Sequence, residues 1–489
     1  MSRIRVVWTG EGTYPFVTGG VSTWADLLVN ELRNIDFILM PIEMNPYNTL
    51  KFDIPENVID IFGIPLWGTE EPIEYIKKVK FSKIYKSKVK TEYADIEFLK
   101  PILISLLEHI YKEKEDLDEL GRYLYDFYEY FQEYDYYETF RKEEVWHIYE
   151  DFYMHHFKDQ KDVPSVFDMI EGLRYIFRFF ITLLPTLPQA DIYHSSAAAF
   201  CGLPCIVAKQ KYNSKFLLTE HGIYLREQYL WASRNKTPYH TKEFLMGLIT
   251  TISKLNYHFA DIITPVCNYN QRWELQWGVK PEKIQTIYNG IDINRYQSQN
   301  IKKEQKTVVM VARVDPLKDI DTFIRTAKLV TDKMPDVIFK LYGPVVNEKY
   351  FRECLDLVKE LGIEKNFIFA GKTSAPQNAY NEGDVVMLTS ISEAFPFVVI
   401  EAMACEKVVV SSDVGGTKEV LDGYGFVVKP KDYETFAEKV IYVLENPKIA
   451  RQMGMEAREK VLLGFTIEDM IENYERLYRK LYVDYKDER

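Results

Sequence analysis

The chain lacks three features that define large classes of protein: long apolar runs, paired cysteines and positive net charge. No window approaches 18 uncharged apolar residues, so no membrane-spanning helix is predicted. The 5 cysteines follow no zinc or redox spacing and are expected to be reduced core residues. The formal net charge of −12 argues against a nucleic-acid partner for the protein as a whole, although it leaves room for a local basic pocket.

The amino terminus also lacks the pattern of a secretory leader. The stretch "MSRIRVVWTGEG" is typical of a strand that runs into a glycine turn, and no cleavage site of small residues follows an apolar run. The expected location is the cytosol, with recruitment to the inner face of the membrane by partner proteins as a further option.

What the chain does contain is a repeated alternation of short apolar strands and helical segments, over a length of 489 residues that favours two domains. The first series has predicted strands at 4–9, 35–43, 57–65, 190–196, 215–222, 260–267 and 282–292. The second series has predicted strands at 306–314, 336–343, 366–371, 384–390, 407–413 and 425–430. Two such series predict an α/β protein with two doubly wound, Rossmann-like domains that face each other across a cleft.

The predicted boundaries place an N-terminal Rossmann-like domain at 1–295 and a C-terminal Rossmann-like domain at 296–462. A final helix, 463–489, is expected to cross back to the N-terminal domain. The polar stretch near 290–305 is the expected hinge.

The segment from about 70 to 188 departs from the alternation and is predicted to be a helical insertion in the N-terminal domain. Aromatic and apolar residues recur in it every three or four positions, and it holds much of the chain's 15% aromatic content. We expect these rings to pack helix against helix, in preference to forming a sugar-stacking or partner surface.

Candidate functional residues follow the ends of predicted strands, where ligands bind in folds of this class. Gly19 and Gly20 precede a helix that begins near Val21, and their backbone could approach a phosphate. Arg313 and Lys318 in "RVDPLKD" offer two cations for a diphosphate. Alternatively, Arg313 forms a salt bridge with Asp315 or Asp319 and Lys318 is an exposed helix-start residue.

Two glutamates, Glu393 and Glu401, flank an apolar stretch in "SEAFPFVVIEAM". Pro396 suits the first turn of a helix, whose free N–H groups could bind hydroxyl or phosphate oxygens. Carboxylates accept bidentate hydrogen bonds from the vicinal hydroxyls of a ribose or hexose. On spacing alone, an equal alternative is that Glu393 caps the helix and Glu401 is a partly buried structural acid.

His221 follows a predicted strand and precedes a glycine. A lone histidine is more often a satisfied structural residue than a catalyst. Its place at the predicted rim makes it a candidate for contacting substrate.

Together, "RVDPLKD", "YNGID" and "SEAFPFVVIEAMACEKVVVSSDVGGTKEV" resemble the retaining nucleotide-sugar glycosyltransferases of family 4, which have the GT-B fold. The match runs through nearly all of 280–460. The stretches "EGTYPFVTGGVSTWADLL" and "LLTEHGIYLREQYL" are similar to the cytosolic glycosyltransferases of Pel exopolysaccharide biosynthesis, a process of biofilm formation.

The resemblance implies a metal-independent transfer of a hexosyl unit from a UDP-sugar to a growing exopolysaccharide, with no cofactor. It points to UDP-glucose, although UDP-GalNAc and UDP-GlcNAc fit the polymer chemistry equally. It also implies that 1–295 is the acceptor-side domain and 296–462 the nucleotide-sugar-binding domain. It implies that Arg313, Lys318 and Gly20 face the donor diphosphate, and that Glu401 binds the ribose. The donor sugar would contact Glu393 and the backbone of 394–397, that is Ala394, Phe395, Pro396 and Phe397. It also places His221 beside the donor sugar and the acceptor, and it implies a membrane-embedded polysaccharide synthase as a partner.

Three other functions are compatible with the fold. A UDP-sugar 2-epimerase would share it, but lacks the Glu-seven-Glu spacing seen here. A non-catalytic subunit could bind nucleotide sugar and dock to a membrane synthase through the insertion, although the expected active-site positions are all filled. A hydrolase would need two carboxyl groups that face one bond.

Overall fold

The computed structural model describes residues 3–69, 71, 80–299, 301 and 304–488. The chain divides into two compact units, and each is described by itself. The first unit comprises 1–265, 273–285 and 474–489, and the second comprises 266–272 and 286–473. Parts of the predicted insertion (70 and 72–79) and of the predicted hinge (300, 302 and 303) lie outside the described residues.

The first unit is built on a parallel sheet of seven strands. These are β1 (Ile4–Glu11), β2 (Ile35–Glu43), β3 (Val58–Ile61), β4 (Ile64–Pro65), β5 (Ile192–Ser195), β6 (Lys215–Glu220) and β7 (Ile262–Pro265). Six strands lie in the order β3-β2-β1-β5-β6-β7, and β4 pairs with β2. The central strands are apolar along most of their length because helices cover both faces of a parallel sheet.

Among its described residues, the first unit has ten α-helices, which precede or surround these strands. They are α1 (Gly20–Glu31), α2 (Phe81–Glu92), α3 (Leu99–Ile110), α4 (Leu117–Glu133), α5 (Tyr136–Phe140), α6 (Glu143–His156), α7 (Val166–Phe179), α8 (Leu203–Tyr212), α9 (Tyr224–Arg234) and α10 (Tyr239–Phe259). Short 3-10 helices span Phe180–Leu183, Phe200–Gly202 and Pro281–Lys283.

The described part of the predicted insertion is helical, since α2 to α7 all lie between β4 and β5. Most of its central aromatic rings are buried in the core of the first unit, as the packing interpretation predicts. The buried rings are Phe127, Tyr128, Tyr130, Phe131, Tyr136, Tyr149, Tyr153 and Phe157. In the part of the chain that the structure describes, no helix combines the length and the apolar character needed to span a bilayer.

The second unit repeats the architecture with a six-stranded parallel sheet. Its strands are β8 (Thr307–Val311), β9 (Ile338–Tyr342), β10 (Phe367–Gly371), β11 (Val385–Leu388), β12 (Val408–Ser412) and β13 (Phe426–Val428). Their order, β10-β9-β8-β11-β12-β13, is that of a doubly wound sheet, in which the strand order reverses between β8 and β11.

The remaining helices are α11 (Asn268–Gln276), α12 (Ile320–Lys333), α13 (Glu348–Glu360), α14 (Pro376–Glu382), α15 (Phe397–Ala404), α16 (Thr417–Leu421), α17 (Tyr433–Glu445), α18 (Pro447–Leu462) and α19 (Ile467–Asp487). A 3-10 turn spans Pro316–Lys318. Both α11 and α19 contribute residues to each unit. The part of α19 in the first unit buries one face, which carries Tyr474, Leu477, Tyr478, Leu481 and Tyr485.

One predicted strand, 282–292, is wrong. The described chain there forms only isolated bridges, from Ile284 to Ile263 and from Ile291 to Thr466. The segment "IQTIYNGID" has the β-branched composition of a strand, but its backbone follows no neighbouring strand for more than one residue. This segment passes close to another one at Gly290, where a Cβ would lie 2.1 Å from the carbonyl oxygen of Thr466.

Candidate active site

The second unit has its candidate residues at the point where the strand order reverses. Arg313 and Lys318 follow β8, and Glu393 follows β11, the strand that pairs with β8. Connections from these two strands leave in opposite directions along the sheet, which opens a crevice at their carboxyl ends. The strand order therefore brings together residues that the sequence separates by about 75 positions.

Arg313 is exposed at the carboxyl end of β8. Within the part of the chain that the structure describes, its guanidinium forms no hydrogen bond or ion pair. The salt bridge considered from the sequence is absent, because Asp315 accepts from the backbone of Leu317 at 2.8 Å and Asp319 accepts from the hydroxyl of Thr322 at 2.7 Å. An unpaired planar donor at this position is suited to binding an anion.

Lys318 lies against Glu393, with 2.5 Å between its Nζ and the Oε1 of the glutamate. The side chains are largely buried, with exposed fractions of 21% and 14%. Two hydrogen bonds join the 3-10 turn at Pro316–Lys318 to the loop that follows β11. The hydroxyl of Thr389 donates to the carbonyl of Lys318 at 2.9 Å, and the amide of Ile391 donates to the carbonyl of Leu317 at 2.9 Å. Lys318 is therefore not the freely exposed helix-start residue of the alternative reading.

Two glycines of the "DVGGTKEV" segment position the loop that carries Glu393. A Cβ on Gly415, which has a φ of +55°, would lie 2.2 Å from the carbonyl oxygen of Glu393. The amide of Gly416 donates to the carbonyl of Ala394 at 2.8 Å. Only a residue without a side chain allows this close approach in the left-handed conformation.

Helix α15 begins after this loop, at Phe397, with no side-chain hydrogen bond at its N-cap. Glu393 therefore does not cap it. Pro396 is the N-cap residue, with φ −81° and ψ 108°, so the helix begins next to it as expected, and Pro396 itself precedes the first turn by one position. The ring of Phe395 is core, stacked 5.8 Å from Phe465, so only its backbone is available to a ligand.

Glu401 lies on α15, partly buried, with both carboxylate oxygens engaged. Tyr296 donates to Oε1 at 2.8 Å, and Tyr380 donates to Oε2 at 2.6 Å. Burial raises the pKa of Glu401 above its ordinary value, and the two tyrosine hydrogen bonds partly offset this. Neither tyrosine was identified from the sequence, since nothing in "QNAYNEG" or "INRYQSQ" marks a residue that orients an acid 21 or 105 positions away.

In the first unit, Gly19 and Gly20 form the start of α1. Gly19 is the N-cap, it makes no side-chain cap, and a Cβ on it would meet nothing within 4 Å. Both glycines are exposed. The first N–H groups of α1 thus lack a side-chain cap, and they carry the partial positive charge of a helix N-terminus.

His221 follows β6 and packs against Trp24 of α1, with ring centroids 4.4 Å apart. Burial lowers its pKa to about 3, so the imidazole is neutral at physiological pH. Its Nε2 is buried and has no hydrogen-bond partner among the described residues. Trp24 therefore links the candidate histidine to the helix that Gly20 begins, a connection that the sequence did not reveal.

The first unit also contains buried acidic residues that the sequence pattern did not identify. Glu11, at the end of β1, accepts from the amide of Cys201 at 2.9 Å, and burial raises its pKa to about 7. Glu220, adjacent to His221, and Glu274 of α11 are both buried; the pKa of each is raised, mainly by burial. The hydroxyl of Tyr257 donates to Glu220 at 3.0 Å.

Comparison with known proteins agrees with this description. The family profile described as a domain of unknown function, DUF3492, matches residues 4–282, and the profile of glycosyl transferases group 1 matches 292–460. N-acetyl-alpha-D-glucosaminyl L-malate synthase of Bacillus anthracis is 31% identical over 243 residues, and trehalose synthase of Pyrococcus horikoshii is 28% identical over 245. Each alignment covers 47% of this chain, and 62% and 58% of those proteins.

Solved structures show the same fold over nearly the whole chain. Sucrose-phosphate synthase of Thermosynechococcus elongatus has a TM-score of 0.61 at 17% identity, and covers 99% of this chain and 100% of its own. Anabaena HepE, solved in complex with UDP and glucose, has a TM-score of 0.58 at 14% identity, and covers 97% of this chain and 99% of its own.

Two doubly wound parallel-sheet units, the second with a cation and carboxylate cluster where its strand order reverses, define a protein of the GT-B class with a glycosyl transferases group 1 domain. The chain belongs to the family described as DUF3492, whose profile covers more than half of it.

Proposed function

We propose that the protein is a retaining glycosyltransferase that moves a hexosyl unit from a UDP-sugar to a glycan acceptor. The observation that supports this best is the cluster at the carboxyl ends of β8 and β11. There Arg313, which has no partner among the described residues, follows the same strand as Lys318, and Lys318 pairs with Glu393 at 2.5 Å. The two cations match the diphosphate, and the carboxylate can accept hydrogen bonds from sugar hydroxyls.

The donor diphosphate is assigned to Arg313 and Lys318 of the second unit. In the first unit, the free N–H groups at Gly19 and Gly20 are a candidate phosphate-binding element. Departing UDP gains negative charge as the bond between the anomeric carbon and the phosphate oxygen breaks. Fixed cations and helix N-termini stabilise that charge without reorganising. The uncapped start of α15 supports a further role in binding donor hydroxyls or phosphate oxygens.

The sugar and the nucleoside are assigned to the two glutamates. Glu393, together with the backbone from Ala394 to Phe397, contacts the donor sugar. Glu401 accepts hydrogen bonds from the ribose hydroxyls, since each of its oxygens retains a lone pair beyond those used by the tyrosines. The neutral His221 is assigned to the acceptor and the donor sugar, because its Nε2, which has no hydrogen-bond partner among the described residues, can exchange a hydrogen bond with a hydroxyl.

In the proposed reaction the acceptor hydroxyl attacks the anomeric carbon from the face that UDP leaves. A new carbon–oxygen bond forms as the bond to phosphate breaks, and the acceptor proton passes to the leaving phosphate oxygen. The configuration of the sugar is retained. We propose that no metal is required, because the two cations and the helix N-terminus neutralise the diphosphate.

We further propose UDP-glucose as the donor and a Pel-type exopolysaccharide as the product. The glycine-turn and "TEHG" stretches of the first unit, and the complex of the fold neighbour HepE with UDP-glucose, support this choice. A membrane-embedded polysaccharide synthase is the partner that would receive the polymer.

The experiment is calorimetric titration of the purified protein with UDP, UDP-glucose, UDP-GalNAc, UDP-GlcNAc and ADP-glucose, with and without a metal chelator. We expect chelator-independent binding of UDP in preference to ADP-glucose, with UDP-glucose the tightest of the sugars. Arg313→Ala or Lys318→Ala should weaken UDP binding about ten- to a hundredfold, because each removes a charge-assisted hydrogen bond.

Arg325→Ala is the matched control, since Arg325 pairs with Asp321 on α12 at 2.7 Å and lies outside the cluster. Unchanged UDP affinity in both site variants would contradict the phosphate assignment. UDP-sugar conversion to an isomer without an acceptor would instead indicate an epimerase, and binding without transfer would indicate a non-catalytic subunit.

A further inference from the structure

Two buried glutamates of the first unit face each other at the end of β6. Glu220 is the last residue of β6, and Glu274 lies in the part of α11 that belongs to this unit. Both have an exposed fraction of 0%. Glu220 is paired with Pro265 of β7, and α11 follows β7 in the chain, which brings the helix back to the end of β6. The two carboxyl groups lie within hydrogen-bonding reach of each other.

The oxygens of this pair have few donors. Tyr257 donates its hydroxyl to Oε2 of Glu220 at 3.0 Å, and the backbone N–H of Tyr224 also supports Glu220. Oε1 of Glu220 and both oxygens of Glu274 accept from no other described group. Since an ionised carboxylate can only accept, a hydrogen bond between the two acids requires a proton on one of them. The contact therefore needs at least one proton.

Among the described residues, no cation acts on Glu274. The titratable group that acts on the pair from α10 is Tyr257, and β7 carries no titratable side chain. On α9, the charged Arg226 acts on Glu227. On α11 itself, the guanidinium carbon of Arg272 lies 3.7 Å from the centroid of the Tyr269 ring. An ionised glutamate in this buried place would lack a compensating charge, which is unfavourable.

The end of β6 is held from two sides. Glu220 contacts α10 and α11, as described above, whereas the next side chain, His221, packs against Trp24 of α1 with ring centroids 4.4 Å apart. A single peptide unit joins the two residues. Any displacement of Glu220 therefore moves the backbone that positions the imidazole.

We propose that the protons held by Glu220 and Glu274 keep α11 packed against the end of β6, which makes Glu274 a positioning residue for His221. As the pH rises, the pair keeps fewer protons and gains a buried negative charge. The packed arrangement then becomes less favourable than an open one in which Glu274 reaches water. The role of His221 at the acceptor rests on the proposed function, whereas the contact between α11 and β6 does not.

The pH range of the effect follows from the two acids. Burial raises the pKa of Glu274 to about 7, and burial together with the charge of Glu274 raises that of Glu220. The value for Glu274 lies above the 4.5 of a solvated glutamate, so its stabilisation is complete below pH 4.5 and is lost as the pH rises through about 7. Opening of α11 from β6 should therefore increase about tenfold between pH 6 and pH 8.

The test is hydrogen exchange of the full chain at pH 6 and pH 8, followed by mass spectrometry and corrected for the intrinsic exchange rates. In the parent protein, protection of residues 215–223 and 273–280 should fall about tenfold at the higher pH. In Glu274→Gln the amide can donate to Glu220 and does not ionise, so this fall should be absent. Glu220→Gln/Glu274→Gln, which has no ionisable group at either position, should give the same flat response.

A second measurement separates positioning of His221 from stability of the helix. It follows the reaction of His221 with diethylpyrocarbonate by mass spectrometry, normalised to His147, whose side chain is 56% exposed. The normalised reactivity should rise about tenfold from pH 6 to pH 8 in the parent protein and stay constant in Glu274→Gln. The control variant is Glu282→Gln, which removes an exposed glutamate of the same unit and should respond like the parent.

The same pH response in the parent and in both glutamine variants of the pair overturns the proposal, and so does a lost response in Glu282→Gln. A pH-dependent protection without a change in the reactivity of His221 overturns the positioning role. Neither measurement uses a donor or an acceptor. A failure to detect glycosyl transfer would therefore contradict the proposed function and leave these results standing.

Discussion

At the scale of single residues, the candidate site depends on groups that orient its carboxylates. Tyr296 and Tyr380 hold the two oxygens of Glu401, and Lys318 holds Glu393. A carboxylate with a fixed orientation loses less rotamer entropy when it accepts hydrogen bonds from a ligand. The two tyrosines should therefore affect affinity without touching the ligand themselves.

Tyr380→Phe should weaken UDP binding about three- to tenfold. The substitution keeps the ring but removes the hydroxyl that donates to Glu401 Oε2 at 2.6 Å, so the carboxylate is less well oriented and its pKa rises further. Calorimetric titration with UDP at neutral and at higher pH measures both effects. We expect part of the loss to be recovered at the higher pH; an unchanged affinity would contradict a positioning role. Tyr342→Phe, which removes a hydroxyl that donates to Glu382 instead, is the control.

Glu11→Gln should change how stability depends on pH. The folded-state pKa of Glu11 is raised to about 7, so its contribution is fully present below the unfolded value near 4.5 and is lost as pH rises through about 7. The amide side chain can still accept from Cys201 but does not ionise. Between pH 5 and pH 8 the free energy of unfolding of the parent should therefore fall about 2 kcal/mol more than that of the variant. Urea unfolding at the two pH values measures this, and parallel changes in the two proteins would contradict it.

At the scale of elements, the loop between β11 and α15 owes its shape to glycines that follow their contacts in this loop by 22 positions. Gly415→Ala should move this loop, because the added Cβ would lie 2.2 Å from one carbonyl oxygen and 2.5 Å from the next. We expect UDP-sugar affinity to fall at least tenfold and stability to fall by about 2–4 kcal/mol, since the left-handed backbone adds its own cost. Thermal unfolding and calorimetry measure the two effects.

Gly423→Ala is the matched control for this variant. Gly423 also has a positive φ, +81°, but a Cβ there would meet nothing within 4 Å. Gly423→Ala should lower the stability by the cost of a left-handed backbone alone and leave the affinity for the UDP-sugar unchanged. Equal losses of affinity in the two variants would mean that strain, and not the contact with the Glu393 loop, explains the effect.

At the scale of the whole molecule, helix α19 near the end of the chain packs into the core of the first unit, which the beginning of the chain forms. Tyr478 of α19 is fully buried, and its hydroxyl is 2.7 Å from Nδ1 of His194, a residue 284 positions earlier. Tyr474 packs against Trp24, with ring centroids 5.5 Å apart. The first unit is therefore complete only when both ends of the sequence have been made.

Tyr478→Ala should destabilise the first unit by about 3–5 kcal/mol, because it opens a cavity and leaves His194 without one hydrogen bond. Val483→Ala is the control on the same helix, since Val483 is 55% exposed, and it should cost less than about 0.5 kcal/mol. Calorimetric unfolding compares them. Similar losses in the two variants would show that this face of α19 contributes little to the core.

The sequence by itself determined the fold class, the helical character of the insertion and the chemical types of the candidate residues. Short apolar strands and amphipathic helices alternate with local periods, and a local period is visible in the sequence without any long-range contact. The strand at 282–292 was predicted wrongly, because local composition favours an element and the neighbouring segments then decide whether it forms.

Only the tertiary structure decided which residues meet. The contacts of Lys318 with Glu393, of Tyr296 with Glu401 and of Tyr478 with His194 join positions 75, 105 and 284 apart. Such pairs depend on the order of strands in each sheet and on where α19 packs, and neither is encoded in the local pattern of any segment. The same reason explains why the exposure of Phe81 and Tyr85 on α2 appeared only in the structure, since a predicted helix does not show which of its faces remains uncovered.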